Sequence, residues 1–176
     1  RLGLALYATD IGNWDIAKSL FEEVIVMDHL DVMSVLLYAE NLRKQEGDKA
    51  VLDMLDSHLK NIPSHSAFHV VYVRELQKQN LDTKKASSNA DVHFAQTFMR
   101  GYNKREYSCY ALYLLQLDRI EEAQSVLSDK SAVQYEYLLA QSQLYKAMGD
   151  EAKAIELLQK AKRQGYEHPG YVLLQE

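Results

Sequence analysis

Residues that break a helix are rare in this chain and recur at one interval, and that spacing limits the folds open to it. Seven Gly and two Pro occur in 176 residues, so long stretches run without backbone punctuation. Their apolar positions return at steps of three and four rather than two. Turn signals stand at Gly12-Asn13, Gly47-Asp48, Asp118-Arg119 and Gly149-Asp150. Gly12 to Gly47 is 35 residues, Gly47 to Asp118 is 71, about two such steps, and Asp118 to Gly149 is 31. A period of roughly 34 with a turn inside each unit predicts an all-α array of helix, turn, helix units.

The clearest unit lies near the end. Leu138, Gln141, Tyr145 and Met148 share one helical face, and that helix is expected to stop at Gly149. Asp150 can then accept from the free N–H groups opening the next helix, whose stripe is Ala154, Ile155, Leu157, Leu158 and Ala161 and whose expected stop is Gly165. Lys160, Lys162 and Arg163 cluster in its last turn, where they offset the helix dipole. Upstream, Leu2 to Thr9 pairs with Trp14 to Met27, Asp31 to Gln45 with Lys49 to Leu59, and Tyr107 to Leu117 with Ile120 to Leu127. A further first helix is expected at Ser66 to Gln79. Asn80 to Asp91 reads as loop chemistry, either a native loop or a junction, and predicts a lengthened turn before a helix that resumes near Asn89.

Composition removes several classes. Twenty Lys and Arg against 25 Asp and Glu give a net charge of -5, which lacks the positive field of a nucleic-acid binder. An RNA-binding helical repeat is the alternative that this acidic balance disfavours. No apolar run approaches the length of a membrane span, so the segment is expected to be soluble, with the cytoplasm favoured. One cysteine, Cys109, forms neither an internal disulfide nor a Cys-based zinc site. The helical pattern is already running behind Arg1, so the chain is expected to be a piece of a longer protein, with the regulatory segment of an enzyme as one alternative.

The spacing and residues resemble the tetratricopeptide repeat family. Leu4, Ala5, Ala8, Gly12, Trp14, Ala17 and Phe21 follow the family pattern, with Val24 where Ala is usual. Tyr107, Tyr110, Ala111, Leu114, Asp118, Ile120, Ala123 and Leu127 follow it with Asp in place of the turn Gly. Leu138, Tyr145, Gly149, Ala154, Leu158 and Ala161 form another unit. Val35, Tyr38, Ala39, Leu42 and Gly47 fit with a one-residue insertion before the turn. The resemblance spans nearly the whole chain, 1–176, read as a single repeat domain. It implies a right-handed α-solenoid of about five repeats plus a terminal helix that starts near His168-Pro169.

The resemblance also implies a concave groove lined by the first helices, which binds a peptide or partner helix. Its positions here are Leu2, Leu6 and Thr9; then Met33, Leu36, Glu40 and Arg43; then Arg105, Ser108, Leu112 and Leu115; then Glu136, Leu139, Gln143 and Lys146. This mixed surface suits a protein partner, as an adaptor or assembly factor of a multiprotein complex. The carboxylate clamp of the co-chaperone members is absent, because Leu2, Leu6 and Leu36 stand at its positions, so an Hsp70 or Hsp90 tail is a poor ligand. Twelve tyrosines suggest a binding hot spot at Tyr110 and Tyr145, set against the plainer reading of packing between repeats.

Signals for chemistry are weak. His65 and His69, four apart, share a helix face and could both reach one metal, but no third ligand accompanies them and surface or packing roles are the plainer reading. Cys109 has no base to activate it and reads as a small apolar group. No phosphate loop, nucleophile elbow or HExxH motif occurs. No cofactor is expected, and the chain is read as a non-catalytic interaction scaffold.

Overall fold

The computed structural model describes residues 1–101, 103–129, 131–164 and 167–175. Among them it is all-helical: α1 (Leu2–Asp10), α2 (Trp14–Met27), α3 (Val32–Glu46), α4 (Asp48–Asn61), α5 (Ser66–Lys78), α6 (Lys84–Met99), α7 (Lys104–Gln116), α8 (Ile120–Val126), α9 (Tyr135–Ala147), α10 (Glu151–Lys162) and α11 (Tyr171–Gln175). The chain divides into two compact units. Unit 1 holds Arg1–Thr83 together with His168–Glu176, and unit 2 holds Lys84–Glu167.

The turns carry the repeat. Gly12, Gly47 and Gly149 have φ of 77°, 89° and 81°, and Asp118 joins them at 57°. Asp is among the few non-glycine residues that visit this region, because its short side chain bonds locally. Asn80, also left-handed at φ 55°, divides the long Gly47 to Asp118 interval and supplies the turn that glycine spacing alone missed. The lengthened turn expected over Asn80–Asp91 is therefore corrected: only Gln79–Thr83 separates α5 from α6, and α6 begins at Lys84. Its Ser and Asn residues are tolerated because Ala86, Ala90 and Phe94 form a buried stripe at steps of four.

In unit 1, α1 packs on α2, α3 on α4, and α3 also on α5. Ala5 and Ala17 are fully buried, and with no side chain beyond Cβ they let α1 and α2 approach closely. Phe21 of α2 stacks on Tyr38 of α3 at 5.4 Å between ring centres, and the Tyr38 hydroxyl donates to Glu22. Trp14 Nε1 donates to Glu46 at 2.7 Å, which joins α2 to the far end of α3.

In unit 2, α7 packs on α8 and α9, and α9 on α10. Phe94 of α6 lies between Tyr110 and Tyr113 of α7, with centres 5.1 and 5.2 Å away. The Tyr113 hydroxyl lies 2.9 Å from the Ser87 carbonyl and 3.1 Å from the Asp91 carboxylate, which fixes the hydroxyl end of the ring against α6. Buried Gln141 donates to the carbonyls of Leu127 and Asp129, which satisfies the backbone where α8 ends. Asp150 caps α10 by accepting from Lys153 N–H at 3.0 Å, as its position in the sequence predicts. The described helix ends at Lys162, and the expected stop at Gly165 lies outside the described residues. Ile155 is exposed, so the buried stripe of α10 narrows to Ala154, Leu157 and Ala161.

Candidate functional site

The first-helix faces are the candidate surfaces, and each unit carries one. In unit 2, an ion pair of 2.9 Å between Arg105 Nε and Glu136 joins α7 to α9, so the expected positions on the two helices meet on one face. Ser108, Leu112 and Leu139 are buried there. Arg105, Leu115, Glu136 and Gln143 are half-buried and Lys146 is exposed. The accessible part is thus mostly polar over an apolar floor.

Tyr110 points elsewhere. At about 100° per residue it lies roughly 200° around α7 from Ser108, and its ring stacks on Phe94 and meets Phe98 edge-on. Tyr145 is half-buried near the end of α9, one residue before Lys146. The structure therefore puts Tyr110 into packing between α6 and α7.

In unit 1, α3 and α5 lie side by side. Arg43 is the hub of a charge network: its guanidinium donates to Glu40 at 2.6 Å, to Asp48 at 2.7 Å and to Glu75 of α5. Glu75 is only 3% exposed. A carboxylate so removed from water is tolerable because a guanidinium answers it directly, and these carboxylates in turn raise the Arg43 pKa despite the burial that opposes charge.

Met33 and Leu36 are buried, and what lies against this part of α3 is the segment from His168 onward. His168, itself 3% exposed, brings Nε2 to 3.1 Å from Ser34 Oγ and 3.2 Å from the Asp31 carboxylate. Its Nδ1 accepts from Gly170 N–H at 2.9 Å, which leaves the proton on Nε2, facing Asp31 and Ser34. Ser34 Oγ also donates to Asp31 at 2.6 Å. Burial raises the Asp31 pKa, but the hydrogen bonds from His168 and Ser34 outweigh it and hold the carboxyl below its usual value. Gly170 lies directly on α3: a Cβ there would sit 2.5 Å from the Met33 carbonyl oxygen and 3.1 Å from Leu37 Cγ. Tyr171 and Leu174 of α11 are buried, Val172 is exposed, and Arg74 of α5 donates to the Leu173 carbonyl at 2.7 Å. Sequence reasoning placed a helix near here but missed where it docks. The only local signal was His168 beside Pro169 and Gly170, an unusual start for a surface helix.

Several histidines hydrogen-bond or stack on neighbouring rings. His65 Nδ1 and His58 Nε2 are 2.8 Å apart and share one proton, His29 stacks on His65, and His58 stacks on Phe68 at 3.6 Å. His69 bonds the Pro63 carbonyl. Burial, then the neighbouring His65, pushes His58 down to about 4. Among the described residues no group of three or more His, Cys, Asp or Glu is arranged to hold a metal ion. Cys109 is buried in α7. No helix among those residues is long and apolar enough to cross a membrane.

The hairpins, their left-handed turns and the paired first helices define the tetratricopeptide-repeat fold. Comparison with solved structures agrees: TTC0263, a thermophilic TPR protein of Thermus thermophilus, superposes with a TM-score of 0.55 at 17% identity, over 98% of this chain and 93% of that one. MamA (AMB-1) aligns over 98% of this chain and 94% of its own at 17% identity, with a TM-score of 0.39. No family model matches the chain, and no curated protein does.

Proposed function

We propose that the chain is a protein-interaction scaffold, an adaptor or assembly factor of a multiprotein complex, whose first-helix faces hold a peptide or a partner helix. The carrying observation is the α7/α9 face, where the Arg105–Glu136 ion pair aligns two helices over buried Leu112 and Leu139. A backbone laid along that face meets polar groups at its edges, in Arg105, Glu136, Gln143 and Lys146, and apolar surface at Leu115, which is the mixture that extended or helical peptide recognition uses. Met33, Leu36, Glu40 and Arg43 are the corresponding positions in unit 1. The reading is of a binding module rather than an enzyme.

The test compares proteins retained by the immobilised chain with those retained by an Arg105→Glu, Lys146→Glu variant of unchanged helical content. Lys146 is exposed and Arg105 half-buried, so the comparison is made only after circular dichroism shows equal helical content in the two proteins. A defined set of proteins should be lost from the variant, and an identical set from both would overturn the assignment of this face.

A further inference from the structure

The segment His168–Gln175 is seated on α3 and is reached from α5 by Arg74. Four of its features are those of a recognised peptide rather than of another repeat. An imidazole N–H is buried against a carboxylate and a hydroxyl, at Asp31 and Ser34. A residue without a Cβ passes over the Met33 carbonyl at a distance no side chain permits. Two large side chains three apart, Tyr171 and Leu174, go inward while Val172 stays in water. A cation from the neighbouring helix, Arg74, takes a backbone carbonyl near the end. The docked helix has five residues, too short to be stable by itself, so its order derives from the face beneath it.

We propose that this segment is a displaceable resident ligand of the α3/α5 face. The external ligand is a short helix-forming segment of a partner protein with the same chemistry: a hydrogen-bond donor, then a glycine, then an aromatic and a leucine three residues apart. The proposal rests on reading first-helix faces as peptide sites. It adds that in unit 1 the site is closed from within, so that a partner must compete with a tethered copy present at high effective concentration. If the tethered segment is docked 99 times in 100, an external peptide binds about 100-fold more weakly than its intrinsic affinity.

The experiment uses the whole chain and a fluorescein-labelled, end-blocked peptide of residues 167–175, with binding read by anisotropy. Gly170→Val in the chain drives a side chain into the Met33 carbonyl and evicts the resident segment while leaving the face intact. The expected result is at least about ten-fold tighter peptide binding by the variant than by the unmodified chain, and loss of binding when the valine is placed in the peptide instead. His168→Ala in the chain, which removes the Asp31 and Ser34 bonds without a clash, should give a smaller gain in the same direction. Equal affinity for the unmodified and Gly170→Val chains overturns the proposal, as does failure of a well-folded variant to bind. Loss of helical signal in both variants overturns it as well, since the segment would then be integral to the unit. These outcomes leave the α7/α9 face untouched, because its retention assay reads different residues in unit 2.

Discussion

Arg43→Met tests the charge network of unit 1 most sharply. The Glu75 side chain is 4% exposed and that of Arg43 17%, so deleting the guanidinium takes from a nearly buried carboxylate the cation that hydrogen-bonds to it. Breaking a buried pair from one side costs about 3–5 kcal/mol, whereas replacing both partners with apolar side chains of similar volume is often neutral or stabilising. Trp14, the single tryptophan, lies in unit 1 with its indole N–H on Glu46, so its fluorescence reports the unfolding of that unit. At a urea dependence of about 2 kcal/mol per molar, the loss corresponds to a fall in midpoint of roughly 1.5–2.5 M. Arg43→Met with Glu75→Met should recover most of it. A single-variant shift below about 0.5 M, or a double variant no better than the single, would refute the claim that Glu75 depends on Arg43.

Two further outcomes follow from the packing. Phe94→Ala, at a fully buried ring between Tyr110 and Tyr113, should destabilise unit 2 by about 3–5 kcal/mol; a loss under about 1 kcal/mol by urea denaturation monitored by circular dichroism would show the stack to be dispensable. His58 should titrate with a midpoint near 4 by NMR. Because the unfolded imidazole takes its proton near pH 6.5 and the folded one refuses it until about 4, stability should be full above that range and decline as pH falls between the two values. His58→Gln should flatten part of that decline, and a midpoint near 6.5 would contradict the burial of the ring.

The local architecture was largely legible in the sequence. Turn positions at Gly12, Gly47 and Gly149, and even the substitution of Asp118, could be read because left-handed backbone admits so few residues. The Asn80 turn was missed because it was absorbed into a polar stretch, and the start of α6 because buried Ala86, Ala90 and Phe94 outweigh the low helix preference of the residues between them. The docking of His168 was not legible. A repeat period reports contacts between neighbours in sequence, whereas the bond to Ser34 spans 134 residues, and no local pattern encodes a partner that distant. The fate of Tyr110 was hidden for a related reason: an amphipathic ring suits a binding face and a helix interface equally well, and only the position of Phe94 decides between them.

That separation also has a temporal meaning. A ribosome adding about 5–20 residues per second reaches His168 roughly 7–27 s after Ser34. Throughout that interval Met33 and Leu37 are already made while the glycine that will lie against them is not. Newborn chains therefore pass through a period in which this surface has no internal cover, when a chaperone or an assembly partner acting during translation meets it without competition.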